Sequence, residues 1–187
     1  MSLLKLYIYD KTDWQDRMQA AGRFSGDDDV MTIPIESGLS ELKKQFQILA
    51  HNGQVFFDRV VIQTHGSPGR VWFGDDGISY KTWESDFTGF DSIFPNFTRL
   101  YFDGCNVAEG GDGTEFLRAA GYVFLKRGGG DVFGWTTVGM AVPGHIPIFG
   151  GHTLHWSNPF SGGGSSTFKR LRFFRGGETN WTDSYIP

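Results

Sequence analysis

The chain has 187 residues, enough for one domain with a sizeable core, and we take residues 1–187 as a single domain. Aromatic residues make up 16% of it, with eighteen Phe and six Trp, so it carries enough burying side chains to exclude a disordered chain despite twenty-seven glycines. The formal net charge is −4, which does not indicate a basic surface that could bind polyanions. We therefore expect neither nucleic acid nor a membrane as a partner.

The chain contains one cysteine, Cys105, which cannot form an internal disulfide. The fold therefore does not depend on an oxidising compartment. The first residues, MSLLKLYIYDKTDW, are too polar for a signal peptide or a spanning helix. We expect a soluble protein that is cytoplasmic as synthesised, and export by a route independent of a signal peptide stays open.

Strand and helix patterns alternate in the first third of the chain. LKLYIY, residues 4–9, predicts a strand, and VMTIPI, residues 30–35, predicts a second strand whose Pro34 favours an edge position. Apolar residues at three- and four-residue steps predict an amphipathic helix from Ser37 to about Asn52. The acidic run 27–29 lacks the ligand spacing of a calcium loop, so we interpret it as a solvated loop.

Two later apolar runs, 60–62 and 100–102, show no alternation, which is typical of strands buried on both faces of a parallel sheet. Between them, RVWFGDDGISY predicts a hairpin. A helical pattern runs from Gly113 to about Lys126, with Asp112 or Thr114 available to cap it. DVFGWTTV and FKRLRFF predict two further strands.

This order of elements predicts an α/β three-layer sandwich with a mostly parallel sheet. Residues 140–187 form a C-terminal extension, rich in glycine and aromatic residues, whose placement the pattern leaves open. Its basic residues are interpreted as an exposed strand face; they are Lys169, Arg170, Arg172 and Arg175.

Two loops follow the apolar runs, and sites in open α/β sheets collect beyond the carboxyl ends of strands. One loop begins with His65 and Gly66, and the other contains Cys105. If the strands are neighbours, the imidazole can take the proton of the thiol, and the main-chain N–H groups of Gly66 and Cys105 are candidate oxyanion donors. The alternative is that Cys105 packs as a small hydrophobe and His65 is a turn residue.

The segments THGSPG, residues 64–69, and GCNVAEGG, residues 104–111, together resemble the caspase-like (clan CD) cysteine peptidases, nearest to bacterial caspase-like domains. The resemblance covers about residues 55–137. It implies a caspase-hemoglobinase-like fold and an endopeptidase that acts on a peptide or protein substrate without a cofactor. His65 would be the general base, Cys105 the nucleophile, and the Gly66 and Cys105 amides the oxyanion hole.

The same resemblance implies a role for Asp103 in substrate binding. In some members of the group, an aspartate two residues before the cysteine lines the pocket for an Arg or Lys that precedes the scissile bond. A carboxylate can form charge-assisted hydrogen bonds with a guanidinium. The alternative is that Asp103 caps the turn before Gly104. The chain is also smaller than a full caspase-type unit, which favours a minimal or degenerate member.

Two other functions compete with a peptidase. His145, His152 and His155 lie close together, but their spacing does not match a zinc hydrolase helix, so we predict no metal. The other rival is a catalytically inactive caspase-like binding or assembly module, because a fold alone does not secure a function. The aromatic-rich C-terminal third could form its assembly surface, and its partner proteins stay unknown.

Overall fold

The computed structural model describes residues 4–13, 30–52, 57–94, 96–137, 139–141, 153–155, 168–176 and 179–184. The described helices are α1 (Gly38–Asn52), α2 (Tyr80–Asp86) and α3 (Gly110–Leu125). The described strands are, in chain order, β1 (Leu4–Asp10), β2 (Val30–Ile35), β3 (Phe57–Gln63), β4 (His65–Ser67), β5 (Arg70–Phe73), β6 (Asp76–Ser79), β7 (Thr98–Asp103), β8 (Gly130–Trp135), β9 (Gly139–Ala141), β10 (Thr153–His155), β11 (Phe168–Phe173) and β12 (Thr179–Ser184).

Among the described strands, seven form one sheet in the order β2-β1-β3-β7-β8-β11-β12. The strands from β2 to β8 in this order pair in parallel, whereas β11 and β12 each run antiparallel to the preceding neighbour. A separate antiparallel sheet contains β4, β5 and β6, and β9 pairs with β10. The predicted α/β fold with a mostly parallel sheet is therefore confirmed.

The predicted strands lie in the main sheet, one at its edge and two in its middle. Pro34 lies in β2, which is the edge strand on that side, where a residue without an N–H is tolerated. The two apolar runs form β3 and β7 in the middle. The prediction that both faces are buried is wrong for β7, because Leu100 and Phe102 are buried while Arg99 is exposed. One face of β7 therefore packs and the other carries polar groups.

The described helices pack together on one face of the sheet. Trp83 of α2 is fully buried, and its ring centroid lies 5.5 Å from Phe124 of α3 and 5.8 Å from Phe102 of β7. Phe46 of α1 lies 5.0 Å from Phe124. Tilted and edge-to-face rings at these separations add to the stabilisation from burial. Of the predicted three layers, the described elements supply the sheet and this one helical layer.

The start of α3 differs from the prediction. The helix begins at Gly110 rather than Gly113, and its N-cap is Glu109, which makes no side-chain capping hydrogen bond. The Thr114 hydroxyl donates to the Gly110 carbonyl instead, at 3.1 Å. Gly110 has φ of +64°, which only glycine adopts without strain, so the chain turns from the Cys105 loop directly into the helix.

The C-terminal segment contributes to the main sheet. FKRLRFF forms β11 as predicted, and β12, which the pattern did not reveal, pairs with it. The interpretation of the basic residues as a simple exposed face is wrong for Lys169, whose Nζ donates to the Gly110 carbonyl and the Thr114 hydroxyl of α3. Arg172 lies on the opposite face of β11, where 40% of its side chain is exposed and it hydrogen-bonds to Asp131.

Some predictions concern segments outside the described residues. The acidic run 27–29 lies there, as do Trp156 and Phe160 of the suggested assembly surface. Within the segments that the structure does describe, no helix is both long and apolar enough to cross a membrane.

We expect Gly121→Ala to destabilise the fold, although alanine normally favours a helix over glycine. A Cβ at position 121 of α3 would overlap the ring of Phe173 in β11, which is 2% exposed and has little room to move. The expected loss is about 1–3 kcal/mol in the free energy of unfolding, measured by urea denaturation.

Gly111→Ala is the matched control in the same helix, because a Cβ there meets nothing within 4 Å. This variant should be neutral or more stable by up to about 1 kcal/mol. Equal destabilisation by both substitutions would contradict the packing of α3 against β11.

Candidate functional site

The two strands that precede His65 and Cys105 are neighbours in the sheet. β3 and β7 pair in parallel, and the register places Gln63 level with Asp103 at their carboxyl ends. His65 and Cys105 each follow two residues after these paired positions. His65 and Cys105 therefore follow strands that end at the same edge of the sheet, as a shared site requires. The catalytic roles of the two side chains stay predictions.

The main chains of the two loops touch. A Cβ placed on Gly66 would lie 2.5 Å from the carbonyl oxygen of Cys105 and 2.9 Å from its amide nitrogen. A Cβ placed on Gly104 would lie 3.0 Å from the Thr64 carbonyl oxygen and 3.2 Å from the Gly66 nitrogen. These approaches are possible because both positions lack a side chain. The residue after His65 and the residue before Cys105 are thus packed backbone against backbone.

The Cys105 loop is held on two sides by main-chain hydrogen bonds. On one side the Gly69 amide donates to the Val107 carbonyl at 3.1 Å. On the other side the Asn106 amide donates to the Thr137 carbonyl at 3.0 Å, and the Ala108 amide donates to the Trp135 carbonyl at 2.8 Å. Cys105 itself is half-buried. The hairpin after His65 and the end of β8 therefore fix the loop that carries the thiol.

His65 has an acidic partner that the sequence did not single out. Its Nε2 lies 2.9 Å from Oδ2 of Asp13, with 62% of the His65 side chain exposed and 18% of the Asp13 side chain exposed. A carboxylate only accepts hydrogen bonds, so in the neutral ring Nε2 carries the hydrogen and Nδ1 is the acceptor nitrogen. The position of Asp13 could have indicated this partner, because Asp13 follows β1, the strand beside β3 in the sheet.

The segment that carries Asp13 is tied down by Asp10. This carboxylate is 2% exposed and accepts hydrogen bonds from the Thr12 amide at 2.8 Å and the Thr12 hydroxyl at 2.6 Å. Its other oxygen accepts from the Gly74 amide at 2.7 Å. Gly74 has φ of +58° and forms the turn between β5 and β6. Asp10 thus joins the Asp13 segment to the hairpin that follows His65.

Asp103 contacts the neighbouring strand β8. The indole Nε1 of Trp135 donates to Oδ1 of Asp103 at 3.0 Å. Both side chains are half-buried. Neither sequence interpretation, a substrate pocket or a turn cap, included this contact. It holds one carboxylate oxygen toward the end of β8, on the side of the sheet opposite to Leu100 and Phe102.

The histidines considered for zinc lie largely beyond the described part of the chain. His145 and His152 are outside it, and only the backbone of His155 is described. Among the described residues there is no group of three or more His, Cys, Asp or Glu side chains that could hold a metal ion.

We expect Asp13→Ala to change the tautomer of His65. In the parent protein the neutral ring should be the Nε2–H form, because the Asp13 carboxylate accepts that hydrogen. Without the carboxylate, ¹⁵N NMR of the imidazole should show a mixture of the two neutral forms. Asp75→Ala, in the exposed turn of the β5–β6 hairpin, is the control. An unchanged His65 spectrum in Asp13→Ala would show that this contact does not orient the ring.

Comparison with known proteins gives one family match. A family model described as a domain of unknown function (DUF4347) matches residues 12–123. This range is more than half of the 187-residue chain, and it contains Asp13, His65 and Cys105. No curated protein and no solved structure matches the chain. The chain therefore belongs to the DUF4347 family.

Proposed function

We propose that the chain is a caspase-like cysteine endopeptidase in which Cys105 is the nucleophile and His65 the general base. The observation that carries the proposal is the backbone contact between Gly66 and the Gly104–Cys105 segment at the carboxyl edge of β3 and β7. The resemblance to caspase-like peptidases places the THG and DGCN motifs at the ends of strands, and this contact brings the two loops together. Catalytic groups at the carboxyl ends of neighbouring parallel strands also follow the general rule for open α/β sheets.

The contact of His65 with Asp13 further supports a base at this position. An imidazole whose Nε2–H is hydrogen-bonded to a carboxylate presents Nδ1 as acceptor. A carboxylate that orients a catalytic imidazole in this way recurs in peptidases on unrelated folds. We therefore assign Asp13 as a positioning residue for His65, and we do not assign it contact with the substrate.

The proposed reaction has two steps. In acylation, Nδ1 of His65 takes the thiol proton, the Cys105 thiolate attacks the peptide carbonyl carbon, and the carbonyl electron pair moves to oxygen. The tetrahedral intermediate then collapses, the C–N bond breaks, and the His65 imidazolium protonates the leaving amine. In deacylation, water gives a proton to His65 and its oxygen attacks the thioester carbon. The C–S bond then breaks, the carboxylic acid leaves, and the His65 imidazolium returns the proton to the Cys105 sulfur.

The direction of the Gly66 amide supports its part in the oxyanion hole. Ser67 and Arg70 face each other across a two-residue turn, and Gly66 faces Val71. In an antiparallel ladder closed by such a turn, the next pair exchanges no hydrogen bonds, so the Gly66 N–H is directed away from β5. The Gly66 N–H is thus not used within the β4–β5 ladder, and we assign it as one donor of the oxyanion hole.

Substrate selection is proposed to involve Asp103. The Trp135 indole N–H holds one oxygen of this carboxylate, which would orient it as a partner for an arginine or lysine side chain. The pocket would therefore prefer a basic residue before the scissile bond.

We expect covalent labelling of Cys105 by a peptidyl acyloxymethyl ketone that carries arginine next to the reactive group. Labelling should disappear in Cys105→Ala and slow by about 10²-fold or more in His65→Ala, since the loss of a general base typically costs that much. Mass spectrometry of the intact protein measures both.

His51→Ala removes an exposed histidine at the end of α1 and serves as the matched control, with labelling at the parent rate. If no probe labels Cys105 whichever residue precedes the reactive group, the peptidase proposal fails. The binding or assembly module then becomes the better reading of the same fold.

We expect Asp103→Asn to lower kcat/KM for arginine substrates by about tenfold or more, while substrates with a neutral residue at that position change much less. Asparagine keeps an acceptor for the Trp135 indole but removes the charge. Trp135→Phe keeps the ring and removes the N–H, so it should cause a smaller loss in the same direction. An equal fall for basic and neutral substrates in Asp103→Asn would show that Asp103 supports the loop rather than the pocket.

A further inference from the structure

Basic side chains that are distant in sequence form one row across the main sheet. The register aligns Lys5 of β1 with Arg59 of β3, and Arg59 with Arg99 of β7. The row continues from Arg99 to Asp131 of β8, and from Asp131 to Arg172 of β11. Neighbouring strands are about 4.8 Å apart, so adjacent charges in this row are close. The row lies on the face opposite to the described helices, because Leu100 and Phe102 point to the other side.

Few acidic side chains balance this row. By strand alternation, the acidic residues on this face of the described strands are Asp131 and Asp103. Asp131 is already bound by Arg172, with Nε 2.8 Å from Oδ1 and Nη2 3.1 Å from Oδ2. Asp103 lies at the far end of β7, about 13 Å along the strand from Arg99. In the described part of the chain, neither Arg59 nor Arg99 forms an ion pair, and like charges side by side on a sheet destabilise it.

A phenol lies among these cations. Tyr101 is on the same face as Arg99, is half-buried, and stacks on Phe133 with ring centroids 4.5 Å apart. Burial raises the pKa of the Tyr101 phenol; the charges of Arg59, Arg99 and Arg170 oppose that rise, and the charge of Asp131 adds to it. Register places Arg59 beside Arg99 on the neighbouring strand, and it places Arg170 and Tyr101 on either side of Phe133. The phenol therefore adds a neutral donor to a face that carries three guanidinium groups. Nε of Arg170 also lies 3.9 Å from Oδ1 of Asp131.

We propose that Arg59, Arg99 and Tyr101 form a binding site for a phosphorylated small molecule on this face, with Arg170 at its border. A terminal phosphoryl group has three acceptor oxygens and a charge near −2, so it can accept from two guanidinium groups and a phenol together. Arginine forks suit this geometry better than point charges do. Tyr101 lies four residues before Cys105, about 13 Å along an extended chain. The existence of the site does not depend on the peptidase proposal.

The direct test is titration of the full chain with inorganic pyrophosphate, followed by NMR of the arginine Nε–H groups and by calorimetry. We expect saturable binding, with the Arg59 and Arg99 signals shifting together, at constant ionic strength set with chloride. Arg59→Gln and Arg99→Gln should each weaken binding by about tenfold or more, because each removes charge-assisted hydrogen bonds. Tyr101→Phe, which keeps the stacked ring, should weaken it less.

Arg118→Gln is the matched control, because Arg118 is an exposed arginine on α3 that pairs with Glu115. It should bind pyrophosphate like the parent chain. Circular dichroism checks that each variant folds; if Arg59→Gln fails to fold, Arg99→Gln, at an exposed position, carries the test. Non-saturable binding, or equal weakening by Arg118→Gln and Arg99→Gln, would overturn the site. If binding is confined to vesicles that contain phosphatidic acid, the proposal of a soluble ligand is wrong.

Discussion

The candidate site depends on one steric constraint, the contact of two main chains at the edge of the sheet. Gly66 and Gly104 come from loops after neighbouring strands, and a side chain on either would meet the backbone of the other loop. Hydrogen bonds from the hairpin and from the end of β8 then hold the Cys105 loop against this contact. The main-chain positions of Cys105 and His65 are thus fixed by backbone packing.

A second set of contacts joins the candidate site to the segment after β1. Asp10 is buried and receives three hydrogen bonds, two from Thr12 and one from Gly74, so it joins the segment after β1 to the hairpin after His65. Asp13 follows on that segment and meets His65. A buried carboxylate is stable only when hydrogen-bonded, so loss of Asp10 would disturb both the hairpin and the partner of the imidazole.

The two faces of the main sheet have different chemistry. The face toward the helices is filled by aromatic rings centred on Trp83 and Phe124, which contribute stability. The opposite face carries a row of cations and a phenol, although the chain as a whole is acidic. Strand alternation separates the two chemistries within a single strand such as β7, whose even positions pack and whose odd positions remain polar. The proposed catalytic edge and the proposed ligand site thus belong to different parts of one sheet.

Local pattern by itself determined most elements of this protein. The edge position of Pro34, the α1 helix, the hairpin and the strands before His65 and Cys105 follow from propensity and periodicity, which act over a few residues. The start of α3 and the one-sided burial of β7 do not follow from local pattern, because they depend on packing partners distant in sequence. Only the tertiary structure decided which strands are neighbours, and hence that Asp13 meets His65 and that Arg59 lies beside Arg99. Strand order brings the segments of Asp13 and His65 together, and register places Arg59 level with Arg99. Both depend on pairing between segments forty or more residues apart in the chain, whereas propensity and periodicity act over a few residues.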